Sequence, residues 1–384
     1  METRARETLS PQPGITAGRV TSGPDTHVDL GVIMATSWAR SRCREVIEGL
    51  SQAGLPWDAF CDEAVPRLRA AVGFDCWCLT LCDPGNALPA HGVADNPPVG
   101  GALERFWHIE YHLPDVNKHA WLVRSPRHVG ILSAATYSDL ARSARWHQLL
   151  GPGGLGDELR GAVVAEGACW GALTFNRERR TGPFANDDAA FITGLIPALA
   201  AAARGAWRAP SPPGTEPVTQ PGVIVVSPAD QIAAATPIAR TWLNRIGPGY
   251  RSQVHALTAR LRARHPVGAS PTATLRTRTR DGQWIELHAA PLSAPGRDDV
   301  AISVQAARPE TMTAILMWAY ALSRREREVT MLLLRGLSTA EIATTLSISG
   351  HTAHDHLKAI YAKTGARGRG RLAARLAPRD DRAP

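Results

Sequence analysis

Two capping boxes stand fifteen positions apart near the C-terminus, Ser323 with Glu326 and Ser338 with Glu341. In each, the hydroxyl accepts from the backbone N–H three residues on, while the carboxylate accepts from the N–H of the serine. Each box therefore fixes a helix start by itself. Gly336 stands where the first of these helices must stop, because glycine closes a helix in the left-handed conformation at no steric cost. Ser349 supplies a third start before "GHTAHDHL", and Gly365 a second stop. Only "SIS" separates the second helix from the third, and two short helices joined that tightly make a helix-turn-helix. Arg371 begins a short fourth helix. Residues 322 to 377 are thus expected as a small, purely helical unit.

The charge is concentrated in the same unit. Residues 322 to 377 hold ten Lys and Arg against four Asp and Glu, whereas the whole chain is only +8 over 384 residues. The chain uses 40 Arg and 3 Lys throughout, a bias that explains the choice of Arg but not its crowding at one end. A compact basic segment is the footprint of a polyanion binder. On the third helix, about 100° per residue puts Ala353, Leu357, Ile360, Tyr361 and Thr364 on one side. His351, His354, Asp355, Lys358 and Ala362 fall on the other. His356 lies on a flank, so the three histidines do not converge. His351 with His354 offers two ligands and neither a Cys nor a carboxylate, so no metal site is expected. A polar helix surface shaped to enter the DNA major groove is the better account.

This stretch resembles the DNA-binding domain of LuxR-type transcriptional regulators. The resemblance rests on "RErEV" (Arg325 to Val329), Gly336, "EIA" (Glu341 to Ala343), Ile348 with Ser349, Thr352, His356 with Leu357, Ile360, and Lys363 to Gly365. Two positions depart from the usual pattern: Ala353 stands for a common Val, and His354 for a common Lys or Gln. The resemblance implies that His354, Asp355 and Lys358 face bases. It further implies that Thr352 and the nearby basic residues His351, Lys363, Arg367, Arg369 and Arg371 meet phosphate, and that the fourth helix pairs two chains into a homodimer on double-stranded DNA, engaging the transcription machinery. The chemistry agrees. Asp355 can accept from a cytosine amino group and Lys358 or His354 can donate to guanine, while arginines on phosphate set affinity without reading sequence.

The remaining chain divides at composition breaks. Residues 1–28 have no apolar run, read as a disordered lead rather than an export signal, and the best apolar run, 192 to 203, is too short to span a bilayer. A cytoplasmic chain without membrane contact is expected. Residues 29–207 form a first block, 208–222 a Pro-rich linker, 223–306 a second block, 307–321 another linker, and 378–384 a tail. In the first block "FDCWCLTLC" alternates, with Trp77, Leu79 and Leu81 opposite Cys76, Cys78 and Cys82. "ELRGAVVAEGACWGALTFNRE" is a hairpin turning at Glu166-Gly167, and Asp281-Gly282 turns another in the second block. Strands flanked by helices make both blocks α+β.

"FDCWCLTLCDP" and "GPFANDDAAFITGL" make the first block resemble a GAF sensor domain, and the Asp281-Gly282 hairpin before "DVAISVQAA" makes the second PAS-like. The fold is then multi-domain: an α+β GAF-like domain, an α+β PAS-like domain and an all-α, four-helix LuxR-type helix-turn-helix domain. Such sensors bind a small molecule or dimerise, and no cofactor follows. Cys76, Cys78, Cys82 and Cys169 are the candidates for redox or ligand chemistry, against plain packing of small side chains on a sheet face. Gly151, Gly153 and Gly156 satisfy G-x-G-x-x-G but sit between a helix and a strand, the reverse of a dinucleotide site. A Walker loop, H-E-x-x-H and G-x-S-x-G are all missing, so an enzyme is not expected. Three readings compete: a ligand- or partner-responsive DNA-binding regulator, a thiol sensor or reductase fused to a DNA-binding module, and a constitutive DNA-binding scaffold whose sensor-like domains only dimerise.

Overall fold

A computed structural model of the chain describes residues 30–95, 101–209, 216–263, 272–294 and 297–376. The expected lead and tail lie outside the described residues. Helices α1 (Leu30–Gln52) and α2 (Trp57–Val72) precede strands β1 (Cys76–Cys82) and β2 (Pro89–Ala94). Then come α3 (Ala102–His112), α4 (His119–Arg124), β3 (Val129–Ile131), α5 (Leu132–Ala135), β4 (Leu155–Ala165), β5 (Ala168–Glu178) and α6 (Asn186–Arg208). The five strands form an antiparallel sheet ordered β2-β1-β5-β4-β3. Glu166 and Gly167, both at positive φ (52° and 75°), make the two-residue β4–β5 turn, the twist that suits a tight hairpin.

A second sheet repeats that pattern. Strands β6 (Gly222–Val226) and β7 (Ile232–Ala235) lead to α7 (Pro237–Ile246) and α8 (Tyr250–Arg262), then β8 (Ala273–Arg278), β9 (Trp284–Ala294) and β10 (Arg297–Ala306). Their order, β7-β6-β10-β9-β8, is the order of the first sheet when each is numbered from its own start.

The first core lies on one face of each sheet. Leu79, Leu159, Leu173 and Phe175 pack with Trp57, Phe60 and Leu195 from α1's neighbours α2 and α6, while Ile224, Leu275, Leu287 and Ile302 pack with Trp242 and Leu257 of the second sheet's helices; these residues belong to one continuous apolar cluster. Trp207 of α6 stacks on Trp284 of β9 at 4.7 Å between ring centroids. Helix α6, at 23 residues, is longer than its apolar run and long enough to cross a membrane. Its apolar side chains are instead buried inside the fold, Phe191, Ile192, Leu195, Leu199 and Trp207 among them.

Two expected linkers differ from the sequence reading. Within 208–222, Val218 is bonded to the β8–β9 turn, its N–H donating to Gln283 Oε1 and its carbonyl accepting from Gln283 Nε2. The segment 307–321 is mostly helix, α9 (Pro309–Ala319). Met312, Ile315 and Ala319 of α9 join the core of the two sheets, while Leu316 and Met317 join that of the C-terminal helices. An apolar residue on both sides of so short a helix makes it a joint, not a spacer.

Candidate functional site

The C-terminal helices are α10 (Arg324–Leu334), α11 (Thr339–Thr345), α12 (Gly350–Thr364) and α13 (Arg369–Leu376). Ser323 caps α10 and Ser338 caps α11, each reciprocated by its glutamate: Ser323 N–H donates to Glu326 at 2.6 Å and Ser338 N–H to Glu341 at 2.7 Å. Ser349 Oγ accepts from Thr352 N–H at 3.0 Å and so starts α12. The turn before α12 needs a left-handed residue, and Ser347 takes that conformation at φ 52°. Gly336 (φ 110°) and Gly365 (φ 63°) end α10 and α12.

Leu357 and Ile360 of α12 pack on Val329, Leu333, Ile342, Leu372 and Leu376, and Ala353 is fully buried beside them. That leaves His351, His354, Asp355 and Lys358 exposed together along the opposite face. His351 Nε2 lies 3.5 Å from Asp355 Oδ2, one turn apart. Thr352, half-buried, shares a hydroxyl contact of 2.8 Å with Ser349. Arg367 and Arg371 are exposed.

Two of the residues expected to meet phosphate, both exposed, also have partners within the domain. Lys363 Nζ donates to Ala321 carbonyl at 3.1 Å and pairs with Glu326 at 2.7 Å. Arg369 donates to the Leu333 carbonyl at the end of α10. Both cations thus tie α12 and α13 back onto α10, a role that sequence cannot reveal because their partners are more than thirty positions away. Burial alone would raise the Glu326 carboxyl, but the Lys363 ammonium and the Ser323 N–H outweigh it and hold the group below its ordinary 4.5. A depressed carboxylate stabilises the fold above its unfolded-state range and loses that contribution as pH falls through the folded value. The melting temperature of Lys363→Met is therefore expected below wild type at neutral pH, with the gap closing as pH drops under about 4. A gap that is constant with pH would show the pair to be inert.

The first sheet brings together a second group. On β1, Leu79 and Leu81 enter the main core, while Cys82 turns to the opposite face with Cys169, Leu122 and Ala162. Cys169 stands at the start of β5, the strand paired with β1. Between the two thiols sits His119, the first residue of α4, with Nε2 3.5 Å from Cys169 Sγ and 3.9 Å from Cys82 Sγ. His119 was not among the sequence candidates, since a six-residue helix carries no periodicity that marks it. Its backbone N–H donates to Glu110 Oε1 at 2.5 Å, and Glu110 Oε2 pairs with buried Arg160 at 2.9 Å. The hydrogen bond from Cys82, helped by the nearby imidazole, lowers the Cys169 thiol well below the usual range. The same bond, with burial, raises Cys82. Burial would lower His119, but the charge and hydrogen bond of Cys169, with Glu110, leave it raised. Cys76 and Cys78 do not join this group: they are half-buried farther up β1, and Cys78 contacts Thr80 at 3.4 Å.

Residues 320–376 match the family model described as bacterial regulatory proteins, luxR family. This segment is thus a LuxR-family helix-turn-helix domain. No curated protein matches the chain. Among solved structures, the phage VqmA–DPO complex is 18% identical, covering 40% of this chain and 81% of its own, with a TM-score of 0.18. The Vibrio cholera VqmA–ligand–DNA complex is also 18% identical, covering 41% and 82%, at 0.20. Bacteriophytochrome RpBphP3 from the photosynthetic bacterium R. palustris is 14% identical, covering 74% and 64%, at 0.24. Likeness this loose fixes neither fold nor function.

Proposed function

We propose that the chain is a sequence-specific, DNA-binding transcription regulator that works as a homodimer in the cytoplasm, with its two sheet domains receiving a signal. The observation that carries this reading is the exposed row His354, Asp355 and Lys358 on α12, backed by a buried framework within the segment matching the luxR family model. In the proposed complex those three side chains meet base edges. Thr352, His351, Arg367 and Arg371 meet phosphate, and α13 pairs the two chains. The repeated strand order of the two sheets supports GAF-like and PAS-like sensor domains, and α9, seated in both cores, is the route by which a change in them reaches the DNA-binding helices.

The test is a salt series on operator fragments selected from genomic DNA by the full chain. Log affinity is expected to fall linearly with log salt, by about 0.9 per phosphate neutralised. Arg367→Ala or Arg371→Ala is expected to flatten that slope by about one unit each. Lys363→Met is expected to change it less, because that ammonium already pairs with Glu326. Lys358→Ala is expected to cost about 1–3 kcal/mol and relax sequence preference at one position. A flat salt response from the wild-type chain would exclude DNA as its partner.

A further inference from the structure

We propose that Cys82, His119 and Cys169 form a three-ligand site for a thiophilic divalent metal of the zinc class. The three donor atoms lie within 4.8 Å of one another. A tetrahedral centre with bonds of about 2.3 Å to sulfur and about 2.0 Å to nitrogen separates those donors by about 3.6 Å. The observed separations, 3.5 Å and 3.9 Å from His119 Nε2 to the two sulfurs, match that edge. Two thiolates and an imidazole are also the donor set that selects zinc over the harder, oxygen-loving cations.

Packing of small side chains is the competing account, and it explains the position of the imidazole poorly. A core histidine filling space would turn its nitrogens toward carbonyls or water, whereas Nε2 here points between two sulfurs. The backbone that carries the ring is also held there. Glu110 fixes the start of α4 through the His119 N–H, and Arg160 fixes Glu110. Arg160 donates a second bond to the Asn117 carbonyl, two residues before His119. Glu110 and Arg160 are thus positioning residues that act on the backbone carrying His119 rather than on its ring. Among the described residues the cluster holds three donors, so a fourth position is open to water or an exogenous ligand, as in reactive zinc sites rather than closed structural ones.

The location gives occupancy a consequence. Cys82 is followed directly by Asp83, whose carboxylate is fully buried against Arg276 of the second sheet. Fixing the Cys82 sulfur fixes the loop that carries that contact. This site stands on its own geometry and holds whether or not the chain binds DNA.

Cobalt serves as the probe. The full-length chain, stripped with chelator under reductant and titrated with Co2+, is expected to take up one ion per chain. It should show a sulfur-to-cobalt charge-transfer band and the strong visible absorption of a tetrahedral centre, both displaced by Zn2+. Cys82→Ser and Cys169→Ser should each weaken the charge-transfer band, His119→Ala should lower affinity at least tenfold, and Cys76→Ser should change neither. A measurement on the wild-type chain covers variants that fail to fold: Zn2+ should slow alkylation of Cys82 and Cys169 by N-ethylmaleimide while leaving Cys76 unaffected. Absence of cobalt uptake, a charge-transfer band left unchanged by both Cys82→Ser and Cys169→Ser, or alkylation indifferent to Zn2+ would each overturn the proposal. Loss of operator binding with cobalt uptake intact would count against the proposed function and leave the metal site standing.

Discussion

Arg145→Met is expected to destabilise the first sheet domain by about 3–5 kcal/mol, because it strands two buried carboxylates. The Arg145 side chain is 1% exposed and pairs with Glu158 at 2.6 Å and Asp115 at 3.2 Å, whose side chains are 2% and 0% exposed. Its backbone N–H also donates to Asp115 at 2.9 Å, and its guanidinium reaches the Val116 carbonyl. Methionine matches the length of the stem but donates nothing. Arg145→Lys is expected to recover little, since one ammonium cannot replace a planar fork that serves two acids and a carbonyl. Urea unfolding of the full chain followed by tryptophan fluorescence would read this as a lower midpoint at constant slope. A loss under about 1 kcal/mol would mean that the carboxylates reach water, as surface pairs do.

The consequence extends to the thiol–imidazole group. Asp115 and Val116 lie on the segment between α3 and α4, and that segment delivers His119 to the sulfurs. Arg145 holds it at Asp115 and Val116, and Arg160 at the Asn117 carbonyl. None of this is legible from the order of residues. Arg145 lies in "LARSARWHQLL", which reads as an ordinary amphipathic stretch, and its partners stand thirteen and thirty positions away.

What the sequence does reveal is local. The boxes at Ser323 and Ser338 and the cap at Ser349 depend on contacts three residues long, so composition and spacing specify them outright. Alternation in "FDCWCLTLC" separates Leu79 from Cys82 for the same reason, a strand's period being two. Lys363 and Arg369 show where such reasoning stops. A cation near a helix-turn-helix suggests phosphate, and only the fold supplies Glu326 and the Leu333 carbonyl as partners. The stretch "ETMTAILMWA" shows a second stopping point. Its length and position suggest a linker, yet its apolar residues fill two different cores, which a reading that assigns each helix one buried face cannot anticipate.

Arg276→Met is expected to break the coupling between the two sheets, at a cost of about 3–5 kcal/mol. Arg276 NH1 pairs with Asp83 of the first sheet at 3.1 Å, and its Nε with Glu286 of its own sheet at 3.2 Å; both carboxylates are 0% exposed. The contact has company, since Thr277 Oγ1 and Gln253 Nε2 both donate to the Ala90 carbonyl where edge strands β2 and β8 face each other. The two acids are not equivalent. Burial outweighs the pairing at Asp83 and leaves its carboxyl above the ordinary range. At Glu286 burial is overcome by His288 and Arg276, and its carboxyl lies below. Removing the charge at Asp83 therefore relieves a desolvation cost, whereas removing Arg276 leaves both acids buried and takes from each the guanidinium that offsets its burial. Asp83→Asn is accordingly expected to cost much less than Arg276→Met, and the double variant less than the sum of the two. Calorimetry of the full chain should show the sheets unfolding together in wild type and in Asp83→Asn, and as separated transitions in Arg276→Met. Equal costs for the two single variants, or additivity in the double, would mean that Arg276 serves Glu286 alone and that the sheets are held together by the Trp207–Trp284 stack and its apolar surroundings.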